Sequence, residues 1–291
     1  MKSGFFTGAA MSASSPAAPI PSLADLRRDI DRIDETMHRL LMERGEIINT
    51  LIETKKTAAS GSAFRPGREA EMMRRLAERH RGILPLDTVE TIWRVIIGTF
   101  TYVQAPYSVH ADIAGGDASM RDSARFHFGF TVPFQPHFGP AAVIEAVAAS
   151  AGDLGIFSAQ PTSSGGAWWR ALEGAGRPKI IARLPFIERP DHPAGTPIFV
   201  IAKPLGDATV RELIVFSIRL ERWSPAFAAA IAAIGGSLDG SAGDAQGLSI
   251  LVSAPGENAE QKLAEALAAA GAGIGAIHEI GSHARRFSVG G

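Results

Sequence analysis

No cysteine occurs in the 291 residues of this chain. Disulfides, thiol nucleophiles and thiolate metal sites are excluded with it. No run of about 18 apolar residues exists either, so no membrane-spanning helix is expected. An excess of charge of one sign is also missing. Lys and Arg number 29 and Asp and Glu 30, for a formal net charge of −1. Nothing general then draws the chain to nucleic acid or to an anionic membrane, and any basic site has to be local. The eight histidines are scattered and form no H-E-x-x-H pair. No metal and no cofactor are expected.

What is present suits a folded chain of two or three small domains, 46% hydrophobic and 20% charged. Residues 1–21, "MKSGFFTGAAMSASSPAAPIP", are small, Pro-rich and nearly uncharged. Lys2 precedes a short apolar run, but Gly and Thr break it. A disordered tail is expected rather than a leader, with Met11 as a second candidate start.

From Ser22 the texture becomes helical. Leu23, Leu26, Ile30, Ile33, Met37, Leu40, Ile47 and Leu51 recur at spacings of three and four. Ser22 and Asp25 form an S-x-x-D start signal after Pro21. Between Leu40 and Ile47 the pattern calls for an apolar residue, and the chain has Arg44. "ASGS" at 59–62 ends this helix. "FRPGREAEMMRRLAERHRG" predicts a second helix from about Gly67, stopped by Gly82. "LPLDTVETIWRVIIGTFTYVQAP" predicts a third, with Val89, Ile92, Trp93, Ile96, Ile97, Phe100 and Val103 on one face and Pro106 closing it.

Residues 106–124 read as a linker. Beyond it, "RFHFGFTV" at 125–132 alternates like a strand. "AAVIEAVAAS" reads as a helix, "DLGIFSA" as a strand, "GGAWWRALEG" as helical, and "PKIIARLPFI" and "PIFVIAKP" as strands. This α/β region is assigned to 125–209. From 210 to 289 the order is strand, helix, two strands, helix, strand, which predicts a small sheet with helices on one face. The expected fold class is multidomain: a three-helix domain over 22–105, then an α/β segment ending in a βαββαβ unit.

The candidate chemistry gathers on the helices. Lys55 lies eleven residues beyond Arg44, about three turns and about 16 Å on. Two such cationic arms bracket a gap the size of a small dianion. Arg27 lies seventeen residues before Arg44, about 25 Å away on a straight helix. It reaches the same small ligand only from an antiparallel partner helix, which would also bury the seam. A functional Arg27 therefore implies a homodimer with shared sites. Arg68 and Glu69 open the second helix, and Gln104 lies near the end of the third. Buried cations are costly unless paired. A bound dicarboxylate would pair them through forked arginine contacts. Taken singly, Arg27, Arg68 and Glu69 also fit solvated surface charges. Lys55 also fits a helix-dipole partner, and Gln104 a surface amide.

"LADLRRDIDRIDETMHRLLMERGEIINTLIETKK", "RPGREAEMMRRL" and "IWRVIIGTFTYVQ" together resemble the three helices of the all-helical chorismate mutases, the class often fused to prephenate dehydratase. The resemblance covers roughly residues 22–105. It implies that Arg27 of the partner, Arg44 and Arg68 hold the two carboxylates of chorismate. Lys55 and Gln104 would hydrogen-bond the ether oxygen of the breaking bond, and Glu69 would accept from the ring hydroxyl. Lys55, Gln104 and Arg44 are the expected catalytic residues. The reaction is an intramolecular rearrangement to prephenate without cofactor, in the cytoplasm, within aromatic amino-acid biosynthesis toward phenylalanine and tyrosine. Many relatives carry a serine where this chain has Phe100, which removes a substrate hydrogen bond or narrows the pocket.

The second half also suggests relatives. "GDLGIFSAQPTSSGG" resembles a dehydratase stretch. "GTPIFVIAKP" resembles the dehydratase Thr-Arg-Phe segment, but after Thr196 come Pro197, Ile198 and Phe199, without the arginine. The final βαββαβ unit resembles an ACT regulatory domain, with "RWSPAF" and "SLDGSAG" where the phenylalanine-binding motifs would stand. The expectation is a degenerate dehydratase-like and ACT-like region, structural or regulatory. Of Trp168 and Trp169, one is expected in the core and one exposed. Thr162, Ser163 and Ser164 read as a turn. Alternatives to a mutase are an isochorismate pyruvate lyase, a non-catalytic sensor of an aromatic metabolite, and a bifunctional mutase–dehydratase.

Overall fold

A computed structural model describes residues 21–55, 62–159, 166–204, 206, 209–244 and 247–289. The expected tail, all but Pro21, and the Thr162–Ser164 turn lie outside the described residues. The chain forms two compact units, Met1–Ile47 and Ile48–Gly291.

The described part of the first unit belongs to helix α1, Leu23–Lys55. Its start signal is realised. The Ser22 amide donates to Asp25 Oδ2 at 3.1 Å, and the Asp25 amide donates back to Ser22 Oγ at 3.2 Å. Each satisfies a group that a helix start leaves open. The apolar seam of α1 is exposed: Leu40 by 52% and Ile47 by 63%, with Ile30, Ile33 and Met37 similar.

The second unit continues with α2, Pro66–Arg79, and α3, Leu86–Gln104. Pro66 fits the first turn of α2 because its missing amide hydrogen would have no helical partner there. Next come β1 Val109–Asp112, α4 Asp117–Phe128, β2 Phe134–His137, α5 Pro140–Ala149 and β3 Leu154–Ser158. A short 3-10 helix, Trp168–Leu172, precedes β4 Lys179–Leu184, β5 Ile187–Glu188 and β6 Ile198–Ala202. The chain closes with β7 Leu213–Leu220, α6 Ala226–Ala233, β8 Ser237–Asp244, β9 Gly247–Pro255, α7 Ala259–Ala269, β10 Ile274–His283 and β11 Phe287–Ser288.

Among the described residues, nine strands form one mixed sheet in the order β2-β1-β3-β6-β4-β10-β7-β9-β8. The β2-β1-β3 part is parallel. The last four strands in this order are antiparallel neighbours, with α6 and α7 packed on each other. The βαββαβ order expected over 210–289 is therefore present. It is continuous with the preceding strands, because Gly281 of β10 pairs with Ile180 of β4.

Three expectations need correction. The linker placed at 106–124 holds β1 and most of α4. Its strand "VHAD" is only four residues long and interleaves His110 and Asp112 with buried Val109 and Ala111, so its polar half masks it. The strand expected at 125–132 is the end of α4 and a turn. Met120, Ser123, Ala124, His127 and Phe128 are the buried positions of α4, a helical spacing that small and polar residues hide from an apolar count. The boundary at 105 does not divide the core. Phe64, Met73, Leu76, Val89 and Ile97 share one hydrophobic cluster with Val109, Phe128, Ile156 and Leu184. Helices α2 and α3 thus pack as part of the α/β unit.

Candidate functional site

Arg27 and Arg44 lie in the first unit, Arg27 exposed and Arg44 half-buried. Lys55 is the last residue of α1 and belongs with Arg68, Glu69 and Gln104 to the second unit. Arg68 and Glu69 are neighbours on α2, so their side chains leave about 100° apart. Arg68 faces outward, while Glu69 is 5% exposed. Gln104 is half-buried, and its Nε2 donates to the Phe100 carbonyl one turn earlier at 3.0 Å.

Glu69 does not stand alone. Its Oε2 accepts from Arg94 Nη1 at 2.7 Å. Arg94, on α3, is 1% exposed. Its Nε and Nη2 both donate to the His127 carbonyl of α4, at 3.1 and 2.7 Å. That carbonyl lies in the last turn of α4, where no helical amide remains to satisfy it. The Phe186 ring lies against the guanidinium, 5.6 Å from its centre. Gly98, one turn past Arg94, makes the approach possible. A β-carbon there would lie 2.8 Å from the Phe128 carbonyl oxygen.

A second charged group lies one turn before Arg94 on α3. Buried Glu90 Oε2 accepts from Arg189 Nη1 at 2.9 Å and lies 3.2 Å from His192 Nε2. Arg189 also pairs with Asp87. The His192 ring stacks on His127, centres 6.3 Å apart. Burial pushes Glu69 above the usual carboxylate range, and Arg94 pulls it part of the way back. Burial, then Arg94 and His192, hold His127 well below the ordinary histidine value, so its ring is neutral. Burial and the Glu69 carboxylate raise the nearby Tyr107 hydroxyl.

Sequence reasoning missed Arg94 and rotated α3. The buried stripe of α3 is Val89, Glu90, Arg94, Ile97, Gly98 and Thr101, whereas Ile92 and Val103 are exposed. Glu90 and Arg94, four apart in an apolar helix, were the available signal.

Elsewhere, Trp168 stacks on Phe157 with centres 4.1 Å apart, and Trp169 Nε1 donates to Ser249 Oγ at 2.9 Å. Both tryptophans are buried, so the expected exposure of one is corrected. Ser123 Oγ lies 2.7 Å from the Thr196 carbonyl oxygen, and the following Ile198 and Phe199 are fully buried. In the core, Asp239 accepts from Arg183 at 2.6 Å and from Ser253 at 2.5 Å, and Ser253 Oγ lies 3.3 Å from His283 Nε2. Among the described residues no group of acidic and histidine side chains is placed to hold a metal ion. No helix among them is long and apolar enough to cross a membrane.

Residues 26–105 match the family model of chorismate mutase type II. Over 103 residues the chain is 31% identical to a bifunctional chorismate mutase/prephenate dehydratase of Neisseria gonorrhoeae, covering 35% of this chain and 27% of that protein. Proteins of the same description from Pseudomonas aeruginosa and Aquifex aeolicus are 27% and 28% identical over 147 residues, covering 49% of this chain and 40% of each relative. The chain thus spans less than half the length of these relatives. Two alignments of 147 residues cannot end at residue 105, so the likeness runs on into the α/β region. No solved structure matches.

Proposed function

We propose that this chain is a chorismate mutase, an isomerase that rearranges chorismate to prephenate in aromatic amino-acid biosynthesis. The observation that carries the reading is the type II mutase match over 26–105, the segment that holds Arg27, Arg44, Lys55, Arg68, Glu69 and Gln104. Arg44, Arg68 and the partner's Arg27 take the substrate carboxylates. Lys55 and Gln104 serve the ether oxygen, and Glu69 the ring hydroxyl. No nucleophile is needed. The work is to hold a floppy dianion in its reactive shape and to stabilise charge developing on the ether oxygen.

We read the chain as a cytoplasmic homodimer with shared sites, and α1 supports the dimer. Its exposed apolar seam gives a second copy a surface to cover, and an antiparallel copy brings Arg27 toward Arg44. The unit from β7 to β10, with its order β10-β7-β9-β8, supports reading the C-terminal part as ACT-like and regulatory. The Pro197–Phe199 stretch, where the dehydratase arginine is absent and Ile198 and Phe199 are buried, supports a degenerate dehydratase-like region without that activity.

The test is chorismate loss by the purified chain, with product identification. Prephenate formation that Arg44→Ala abolishes supports the mutase. Pyruvate release from isochorismate instead would make the chain a lyase. Ligand binding without turnover would make it a sensor, and Phe100→Ser the next variant.

A further inference from the structure

We propose that Arg94 is a positioning residue for Glu69, and that it ties the mutase helices to the α/β region by gripping the His127 carbonyl with the other edge of the same guanidinium. The proposal rests on the mutase reading for the role it gives Glu69.

Glu69 Oε2 is committed to Arg94 at 2.7 Å. The Arg65 backbone also hydrogen-bonds this carboxylate, and two carboxylate oxygens together offer about four acceptor sites, so capacity remains for a substrate hydroxyl. Arg94 cannot swing away cheaply. Its Nε and Nη2 converge on one carbonyl at the end of α4, its plane lies near Phe186, and it is 1% exposed. A guanidinium held on two edges fixes the carboxylate's direction in a way a single ammonium does not. The carbonyl it grips is His127's, beyond the matched segment 26–105. The aim of Glu69 therefore depends on residues outside the mutase helices.

Charge follows from the same contact. The groups facing Glu69 are Arg94 from α3, the Arg65 backbone just before α2 and the Tyr107 hydroxyl. The neutral His127 ring, then Glu90 with Arg189 and His192, lie one layer further out. Arg94 is the cation that opposes the burial of Glu69. Without it Glu69 takes up a proton at higher pH and loses its capacity to accept from the ring hydroxyl through either ionised oxygen.

The test uses the full chain with Arg94→Gln and Arg94→Lys, measuring kcat/KM for chorismate across pH. Arg94→Gln is expected to move the acid limb up by about one pH unit or more and to lower the plateau at least about tenfold. Arg94→Lys, which keeps charge but not the fork, is expected to recover part of the shift. Equal loss at every pH with an unmoved acid limb would overturn the proposal. Should Arg94→Gln fail to fold, Arg94→Lys carries the comparison against wild type. A readout without turnover is the 13C shift of the Glu69 carboxyl, assigned by its disappearance in Glu69→Gln. Its titration moves up in the Arg94 variants if Arg94 holds it. An identical titration in wild type and variants overturns the proposal, whether or not the chain turns over chorismate. Absence of turnover in wild type with a shifted carboxyl titration would instead remove the mutase reading and leave the Arg94–Glu69 coupling standing.

Discussion

Helices α1 and α3 each place an arginine where the spacing calls for an apolar residue, and the two are surrounded differently. On α3, Arg94 is buried with a carboxylate and a carbonyl of its own chain. On α1, Arg44 is half-buried, and the apolar residues before and after it in the seam, Leu40 and Ile47, are more than half exposed. An internal cation needs an internal counter-charge to be tolerated at all. Arg94 is built into a packed core, whereas Arg44 lies on a face that, in the function proposed above, a ligand and a second copy cover. The first should govern folding and the second turnover.

The largest way to break that contrast is at α3. Arg94→Ala leaves Glu69 buried without its partner and is expected to cost about 3–5 kcal/mol of stability, read as a lower urea midpoint. A second arm sharpens the functional side. Lys55→Ala is expected to lower kcat by about 100- to 1,000-fold with the urea midpoint unchanged.

The core of the second unit has its own pH dependence. Burial holds His283 down to about 4, against the pull of the Ala284 carbonyl and Asp239 and with the help of Arg183 and Arg286. The unfolded chain takes this proton near pH 6.5, the folded one only near 4. Stability is therefore expected to fall as pH drops from about 6.5 to about 4, by about 3 kcal/mol from this group. Neutral, buried His127 acts in the same direction. His283→Gln should flatten the slope of the urea midpoint against pH. The smallest effect expected is at Gly98→Ala, about 1–3 kcal/mol, because the added carbon meets the Phe128 carbonyl and parts α3 from α4.

Legibility from sequence was uneven for physical reasons. The start of α1 could be read because Ser22 and Asp25 act on each other within one turn. The strands β7 and β9 could be read because each carries a run of apolar residues, and helix α7 because Leu263 and Leu267 lie four apart. Strand β1 could not, because a four-residue parallel strand lends only two buried residues to the pattern. Helix α4 could not, because Ser123 and His127 are buried through packing and polar contacts rather than apolarity. The face of α3 was misjudged for a related reason. Glu90 and Arg94 look like surface residues until partners from α2, α4 and the segment after β5 are known. Of the residues proposed to bind substrate, Arg27, Arg44 and Lys55 stood out by their spacing along one helix, and the role of each came with the resemblance of the three helices. The residue that orients one of them lay in plain view as a charge on an apolar helix.

The most direct measurement compares kcat/KM for chorismate with the urea midpoint in wild type, Arg44→Ala and Arg94→Ala. The account predicts that Arg44→Ala loses turnover at an unchanged midpoint, while Arg94→Ala lowers the midpoint. Loss of stability in Arg44→Ala, with turnover per folded molecule intact, would contradict it.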